Sequence, residues 1–222
     1  MFHGTMPKID KRTQESLMHH PFRALTPIIL ASGSPRRRQF LEELGLAFEL
    51  VRPQGVEPRP AAGEAPDDYA RRAAAAKAQA VPHRPGSLLL AADTIVALDG
   101  DILGKPRDTD DALRMLRRLA GRTHTVTSAV CCVLPDGEEI RFHDATAVTF
   151  HPWSEDVLAA YARTGEPLDK AGAYAIQGLG AFLTARIKGS WSTVVGLPVT
   201  PLAALLLEHG LITPALSGVV PG

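Results

Sequence analysis

The chain has 222 residues, 45% hydrophobic and 22% charged, which suits a water-soluble globular protein with a substantial core. Its 24 basic residues balance 24 acidic ones, so it lacks the broad basic surface that DNA or RNA binding needs, and nucleic acid is excluded as the main partner. No apolar run is long enough to span a membrane, and the first 24 residues lack the apolar core of a signal peptide; a cytoplasmic protein is expected, without a membrane partner.

The expected organisation is a polar N-terminal extension over residues 1–25, one domain over 26–212, and a short tail over 213–222. The domain opens on Ile28-Ile29-Leu30-Ala31-Ser32-Gly33-Ser34-Pro35-Arg36-Arg37-Arg38, which reads as a buried strand, a small-residue turn and a helix start. Ser34 suits the N-cap and Pro35 the first helical position. The helix should run over 35–44 and stop at Gly45, with a second strand over 47–51. A Pro- and Gly-rich loop leads to an Ala-rich helix from Pro66 to Val81, with Asp67 and Asp68 in its first turn. Residues 87–94 form an apolar run expected as a doubly buried strand ending in an acid, Asp93. A hairpin around Asp99-Gly100 should follow, then a helix over 109–120, and a second hairpin turning at Asp136-Gly137. Ser154 caps a further helix, residues 181–187 read as a strand, and residues 198–209 as a final helix. Strands alternating with helices, plus two hairpins, predict an α/β fold with a mixed sheet flanked by helices. Adjacent Cys131 and Cys132 would point to opposite faces of a strand, which excludes a disulfide between them and makes them core residues of a reducing compartment. Trp153 and Trp191 are expected to pack, and His124 to be a half-buried strand residue.

Three features point to chemistry. A helix N-terminus is already electropositive, so three arginines in its first turn anticipate an anion, phosphate above all. Asp93, closing an apolar strand, should face a cleft at a sheet edge. Lys105, in the rigid turn Gly104-Lys105-Pro106, can meet a phosphate as a point charge. Gly100 to Lys105 is not a P-loop, because the spacing is one residue short and Pro106 replaces the required Ser or Thr. Gly178-Leu179-Gly180 lacks the third glycine of a dinucleotide fingerprint. Lys77, near a helix C-terminus, has an ordinary role as a dipole complement. Cations suited to phosphate beside one placed acid fit Mg²⁺-assisted phosphoryl or nucleotidyl chemistry.

The motifs resemble those of the Maf family of nucleoside triphosphate pyrophosphatases. They are Leu30-Ala31-Ser32-Gly33-Ser34-Pro35-Arg36-Arg37, Ala92-Asp93-Thr94 with Gly104-Lys105-Pro106, Leu119 through His124 to Val126, the run from Gly165 to Gly178, and Val195-Gly196-Leu197-Pro198. The resemblance implies an inosine-triphosphatase-like architecture, two lobes around a deep cleft. It also implies hydrolysis of a small nucleoside triphosphate to the monophosphate and pyrophosphate with a divalent cation, Mg²⁺ or Mn²⁺. On it, Asp93 is the proton acceptor for the attacking water, and Ser32, Arg37, Lys77 and Lys105 contact or support the phosphates. Arg36, Thr94 and Gln177 fall on the substrate-specificity positions and match the dTTP/UTP branch rather than the 7-methyl-GTP branch. Two departures stand out: an expected Asp-Glu pair reads Glu57-Pro58, leaving Glu57 with Asp93 as the implied metal ligands, and Trp191 and Thr193 replace Tyr and Asn. The alternatives are 7-methyl-GTP hydrolysis and a non-catalytic nucleotide-binding regulator of septum formation. Nucleotide-pool house-cleaning is the implied role, and a homodimer remains open.

Overall fold

The structure is a computed structural model and describes residues 20–55 and 58–215. Its strands are β1 (Phe22–Ala24), β2 (Ile28–Ala31), β3 (Glu49–Val51), β4 (Leu88–Leu98), β5 (Asp101–Leu103), β6 (Thr123–Val133), β7 (Glu139–Phe150), β8 (Thr184–Lys188) and β9 (Ile212–Pro214). The helices are α1 (Pro35–Glu43), α2 (Pro66–Gln79), α3 (Thr109–Leu119), α4 (Glu155–Ala162), α5 (Trp191–Val195) and α6 (Val199–Glu208). Seven strands make one mixed sheet in the order β3-β2-β4-β6-β7-β8, with β5 also on β4. Only the β3-β2-β4 part is parallel; β6 to β8 add as antiparallel neighbours, as hairpin turns dictate. The mixed α/β fold expected from the sequence is therefore present. Residues 22–24, within the expected extension, pair as β1 with β9, which includes the first residues of the expected tail.

Side-chain alternation along β4 sorts the core. Leu89, Ala91 and Ile95 face α2, with Ala70, Ala73, Ala74 and Ala78. On the other face, Leu88, Leu90 and Ala92 join one cluster with α1 and α6, while Val96 and Leu98 join another with α3 and α4. These two clusters lie on the same face of the sheet, toward opposite ends of β4. Cys131 packs in the α2 cluster and Cys132 on the opposite face, both free thiols in an apolar interior. The alanine stripe of α2 lets helix and sheet approach closely, so a larger residue at Ala73 would cost about 1–3 kcal/mol in overpacking.

One expectation changes with consequence. The strand anticipated to end at Thr94 instead runs unbroken from Leu88 to Leu98, so Asp93 lies in mid-strand. It still reaches a cleft, because its neighbours stop. On one edge β4 is fully paired with β6, from Leu89 to Ala97. On the other edge β2 covers only Leu88 to Ala91, and β5 only Val96 to Leu98. Among the described residues, 92–95 are left between them without a strand partner on that edge.

Candidate active site

The uncovered stretch of β4 opens onto a cavity of about 910 Å³, within the range of small-molecule sites. Residues 32–37 form one wall, and α2 contributes Tyr69 and Lys77. The turn at Gly104 and Lys105 lines the rim, and the Tyr174-Ala175-Ile176 segment lines the far side with Val194, Val195 and Gly196. Because successive residues of a strand point to opposite faces, Asp93 enters the cavity on the α2 side and Thr94 on the other.

Asp93 is buried, and its carboxylate forms an ion pair with Lys77. The sequence carried a signal for this. Lys77 lies seven residues after Ala70 and three and four after Ala74 and Ala73, on the stripe that α2 turns toward the sheet. A lysine there is aimed at the strand, and its role exceeds a helix-dipole complement.

The three arginines divide by helix geometry. Ser34 caps α1 as expected, its Oγ accepting the Arg37 N–H at 3.5 Å, with Pro35 in the first turn. Arg38 pairs with Glu42 on the solvent face at 3.3 Å. Arg36 is half-buried and lines the cavity. Arg37 is only 8% exposed, and its guanidinium is bonded within the walls of the site, in keeping with the supporting part of its expected role. Its Nη1 donates to the Ala92 carbonyl at 2.7 Å, its Nε to the Gly196 carbonyl at 2.8 Å, and its Nη2 to Thr94 Oγ1 at 2.9 Å. The physical reason is the missing ladder partner: where β2 ends, Arg37 satisfies a β4 carbonyl that a strand would otherwise have paired. Spacing foreshadowed this, since Arg37 shares the face of buried Phe40 and Leu41 at i+3 and i+4.

Thr94, half-buried, joins a chain of hydroxyls whose other members are buried. Ser128 Oγ donates to the Thr193 carbonyl at 2.7 Å and lies 2.8 Å from Thr94 Oγ1, while Thr193 Oγ1 donates to Asp144. The Thr94 hydroxyl accepts from Arg37, and its own proton faces two acceptors, Ser128 Oγ at 2.8 Å and the Gly196 carbonyl at 3.3 Å. Thr193, one of the sequence departures, is therefore a fully buried link in the wall. Trp191, expected to pack, is 47% exposed and meets Phe40 edge-on, because the short helix α5 presents it at the surface.

Ser32 is buried at the turn, its Oγ accepting the Ser34 N–H at 3.1 Å. Lys105 is exposed at the rim, and its turn is held where the Gly104 carbonyl accepts the Gly172 N–H at 3.1 Å. Gln177 is half-buried and follows the last lining residue of its segment, Ile176, without itself lining the cavity. His124 is fully buried rather than half-buried, because Phe150 and Tyr174 enclose it. Its Nε2 is 2.8 Å from the Tyr174 hydroxyl, its Nδ1 has no partner among the described residues, and burial pushes its pKa down to about 4. His124 thus braces Tyr174, a cavity residue that sequence reasoning passed over.

Glu57 lies outside the described residues. Among the described residues, no three His, Cys, Asp or Glu side chains cluster closely enough to hold a metal. The described carboxylates on the cavity are Asp93, paired with Lys77, and Asp169, paired with Lys170. That donor set fits a cation of the Mg²⁺ kind, held by one or two carboxylates together with substrate phosphates. It does not fit an all-protein cage. No helix among the described residues is long and apolar enough to cross a membrane.

Residues 27–209 match the family described as Maf-like protein. A dTTP/UTP pyrophosphatase from Nitratidesulfovibrio vulgaris is 60% identical over 193 residues, covering 86% of this chain and 92% of that one. A dTTP/UTP pyrophosphatase from Oleidesulfovibrio alaskensis is 51% identical over 198 residues, covering 88% and 90%. A solved dITP/XTP pyrophosphatase from Mycobacterium abscessus aligns with a TM-score of 0.39 and 17% identity, over 83% of this chain and 95% of that one. With its family motifs gathered around one cleft and the match spanning nearly all of the described residues, the chain belongs to the Maf-like family.

Proposed function

We propose that this chain is a nucleoside triphosphate pyrophosphatase that hydrolyses dTTP and UTP to the monophosphate and pyrophosphate. The observation that carries the reading is the ion pair of Asp93 with Lys77, on a stretch of strand with one edge open to a cavity bearing Arg36 and Lys105. Relatives at 60% and 51% identity named dTTP/UTP pyrophosphatase support the substrate.

Water attacks the α-phosphorus, a new P–O bond forms, and the bond from that phosphorus to the oxygen bridging the β-phosphate breaks. Asp93 accepts the proton of the attacking water. Lys77 orients that carboxylate and offers its ammonium to the charge on the phosphates, while Arg36 and Lys105 flank the chain of phosphates as further cations. The Ser32–Ser34 turn supplies the electropositive helix end. Arg37 and Thr94 frame the cleft by holding β4, the α1 turn and Gly196 at fixed separation. A divalent cation, held by Asp93 and the phosphates, would neutralise charge on the leaving pyrophosphate. Base choice falls to the face carrying Arg36, Thr94 and the Gln177 segment, since a Gln amide complements the mixed donor-acceptor edge of uracil or thymine. The enzyme works in the cytoplasm on a small-molecule substrate, in keeping the nucleotide pool clean.

The test is pyrophosphate release from dTTP, UTP and 7-methyl-GTP in the presence of Mg²⁺, side by side with Asp93→Asn. Turnover of dTTP and UTP, falling by about 10²–10⁴ in the variant, is expected for loss of a general base. A preference for 7-methyl-GTP, no release from any nucleotide, or near-normal rates in a folded Asp93→Asn protein would overturn the reading.

A further inference from the structure

The stretch that carries Gln177 is fastened by a carboxylate that the hydrolysis itself does not use. Glu166 follows Gly165 into a short 3₁₀ turn, Glu166–Asp169. Its Oε1 accepts the Leu179 N–H at 2.9 Å and its Oε2 the Gly180 N–H at 2.8 Å. Oε2 also accepts the Tyr161 hydroxyl at 2.8 Å, and the Tyr161 oxygen in turn accepts the Ala175 N–H at 3.2 Å. Two side chains therefore take three backbone donors, one before Gln177 and two after it, in a region of 3₁₀ turns with no sheet ladder to hold it.

The glycines flanking Gln177 follow from the same contacts. A Cβ on Gly178 would lie 2.4 Å from Glu166 Oε1, and its φ of 72° is itself a left-handed value. A Cβ on Gly180 would lie 2.5 Å from both the Tyr161 hydroxyl and the Ala175 carbonyl. Neither glycine belongs to a dinucleotide fingerprint. Each lets the backbone close on the carboxylate or the phenol, and the charge-assisted bonds that result are the strong kind.

We propose that Glu166, backed by Tyr161, is a positioning residue that sets how Gln177 presents its amide to the nucleobase, and thereby the preference for uracil or thymine over cytosine. This rests on the assignment of base reading to Gln177 under Proposed function. A Gln amide can rotate by half a turn and exchange its donor and acceptor, which would suit cytosine as well as uracil. Which orientation it takes depends on the cleft groups it meets, and so on where the backbone beneath it holds the amide against them. Glu166 and Tyr161 fix that backbone from both sides.

The experiment compares UTP with CTP in the wild type, Glu166→Gln, Tyr161→Phe, Gln177→Ala and the Glu166→Gln/Gln177→Ala double variant. The ratio is read as kcat/KM and as equilibrium affinity by calorimetry. In Glu166→Gln, kcat for UTP should stay within about twofold while KM rises and the UTP-to-CTP ratio falls, each by roughly tenfold, the scale of one lost charge-assisted bond. Tyr161→Phe should move the ratio the same way by a smaller factor, and it decides the matter if Glu166→Gln does not fold. In the Gln177→Ala background, Glu166→Gln should change the ratio no further. An unchanged ratio in a folded variant, an equal loss of kcat on every nucleotide, or a full effect without Gln177 would overturn the proposal. Absence of turnover in the wild type would instead strike the assignment of function, and the affinity ratio would still judge Glu166.

Discussion

Replacing Arg37 with methionine separates two roles that a cleft arginine can have. Methionine keeps much of the apolar stem and removes the three bonds to Ala92, Gly196 and Thr94. Two buried carbonyls then lose a charged donor, each worth about 1.5–3 kcal/mol. Partial relaxation and non-additivity bring the expected loss to about 3–5 kcal/mol, the scale of removing one member of a buried charged pair. For a domain of this size each kcal/mol shifts Tm by about 2–4 °C, so a fall of roughly 6–20 °C is expected. Thermal unfolding followed by circular dichroism measures it, with Arg36→Met as the internal contrast. Arg36 is half-buried on the cavity, so its variant should keep Tm within about 2 °C and raise KM for dTTP by about tenfold or more. If Arg37→Met melts with the wild type and only its KM rises, Arg37 is a phosphate ligand and the framing argument is wrong.

Other consequences follow from buried groups. The native pKa of His124 lies at about 4 against an ordinary 6.5, so the unfolded chain binds the proton more readily between those values. The stability it contributes is complete above pH 6.5 and is lost as pH falls toward about 4, a change of up to about 3 kcal/mol. Urea unfolding across that range should show the slope, and His124→Gln should flatten it; an equal slope in both would refute the assignment. Burial pushes the Cys131 thiol up to about 12 and the Cys132 thiol upward as well. Neither should react with a disulfide reagent at about pH 8 until the protein unfolds, and labelling of the native protein would contradict the packing described. Lys105→Ala, at an exposed rim position, should raise KM for dTTP by about tenfold with Tm nearly unchanged. A fall in Tm without a kinetic effect would make it a structural residue.

Much of this was legible from local chemistry. Ser34 and Pro35 marked the start of α1, the glycine after Asp136 turned the β6–β7 hairpin, and alternation separated Cys131 from Cys132. These are short-range constraints, in which a cap, a turn or a pleat is decided by neighbours a few residues away. Even the inward aim of Arg37 and Lys77 was written in helical spacing, on the faces of Phe40 and Leu41 and of the α2 alanines. What spacing could not convey was what those two cations would meet.

The chain by itself determined that a phosphate-suited helix end, an acid on a buried strand and a rigid lysine turn would occur, because each depends on a handful of consecutive residues. Only the tertiary structure decided how they work together. Asp93 reaches the cleft because β2, more than fifty residues earlier in the chain, ends at its Ala31–Ala91 pair, while the pairing of β5 reaches back only to Val96. Arg37 bonds to Gly196, 159 residues away, to close the edge left open between them. Such pairings follow from which strands lie side by side and where each one stops, and no local window of sequence contains that information.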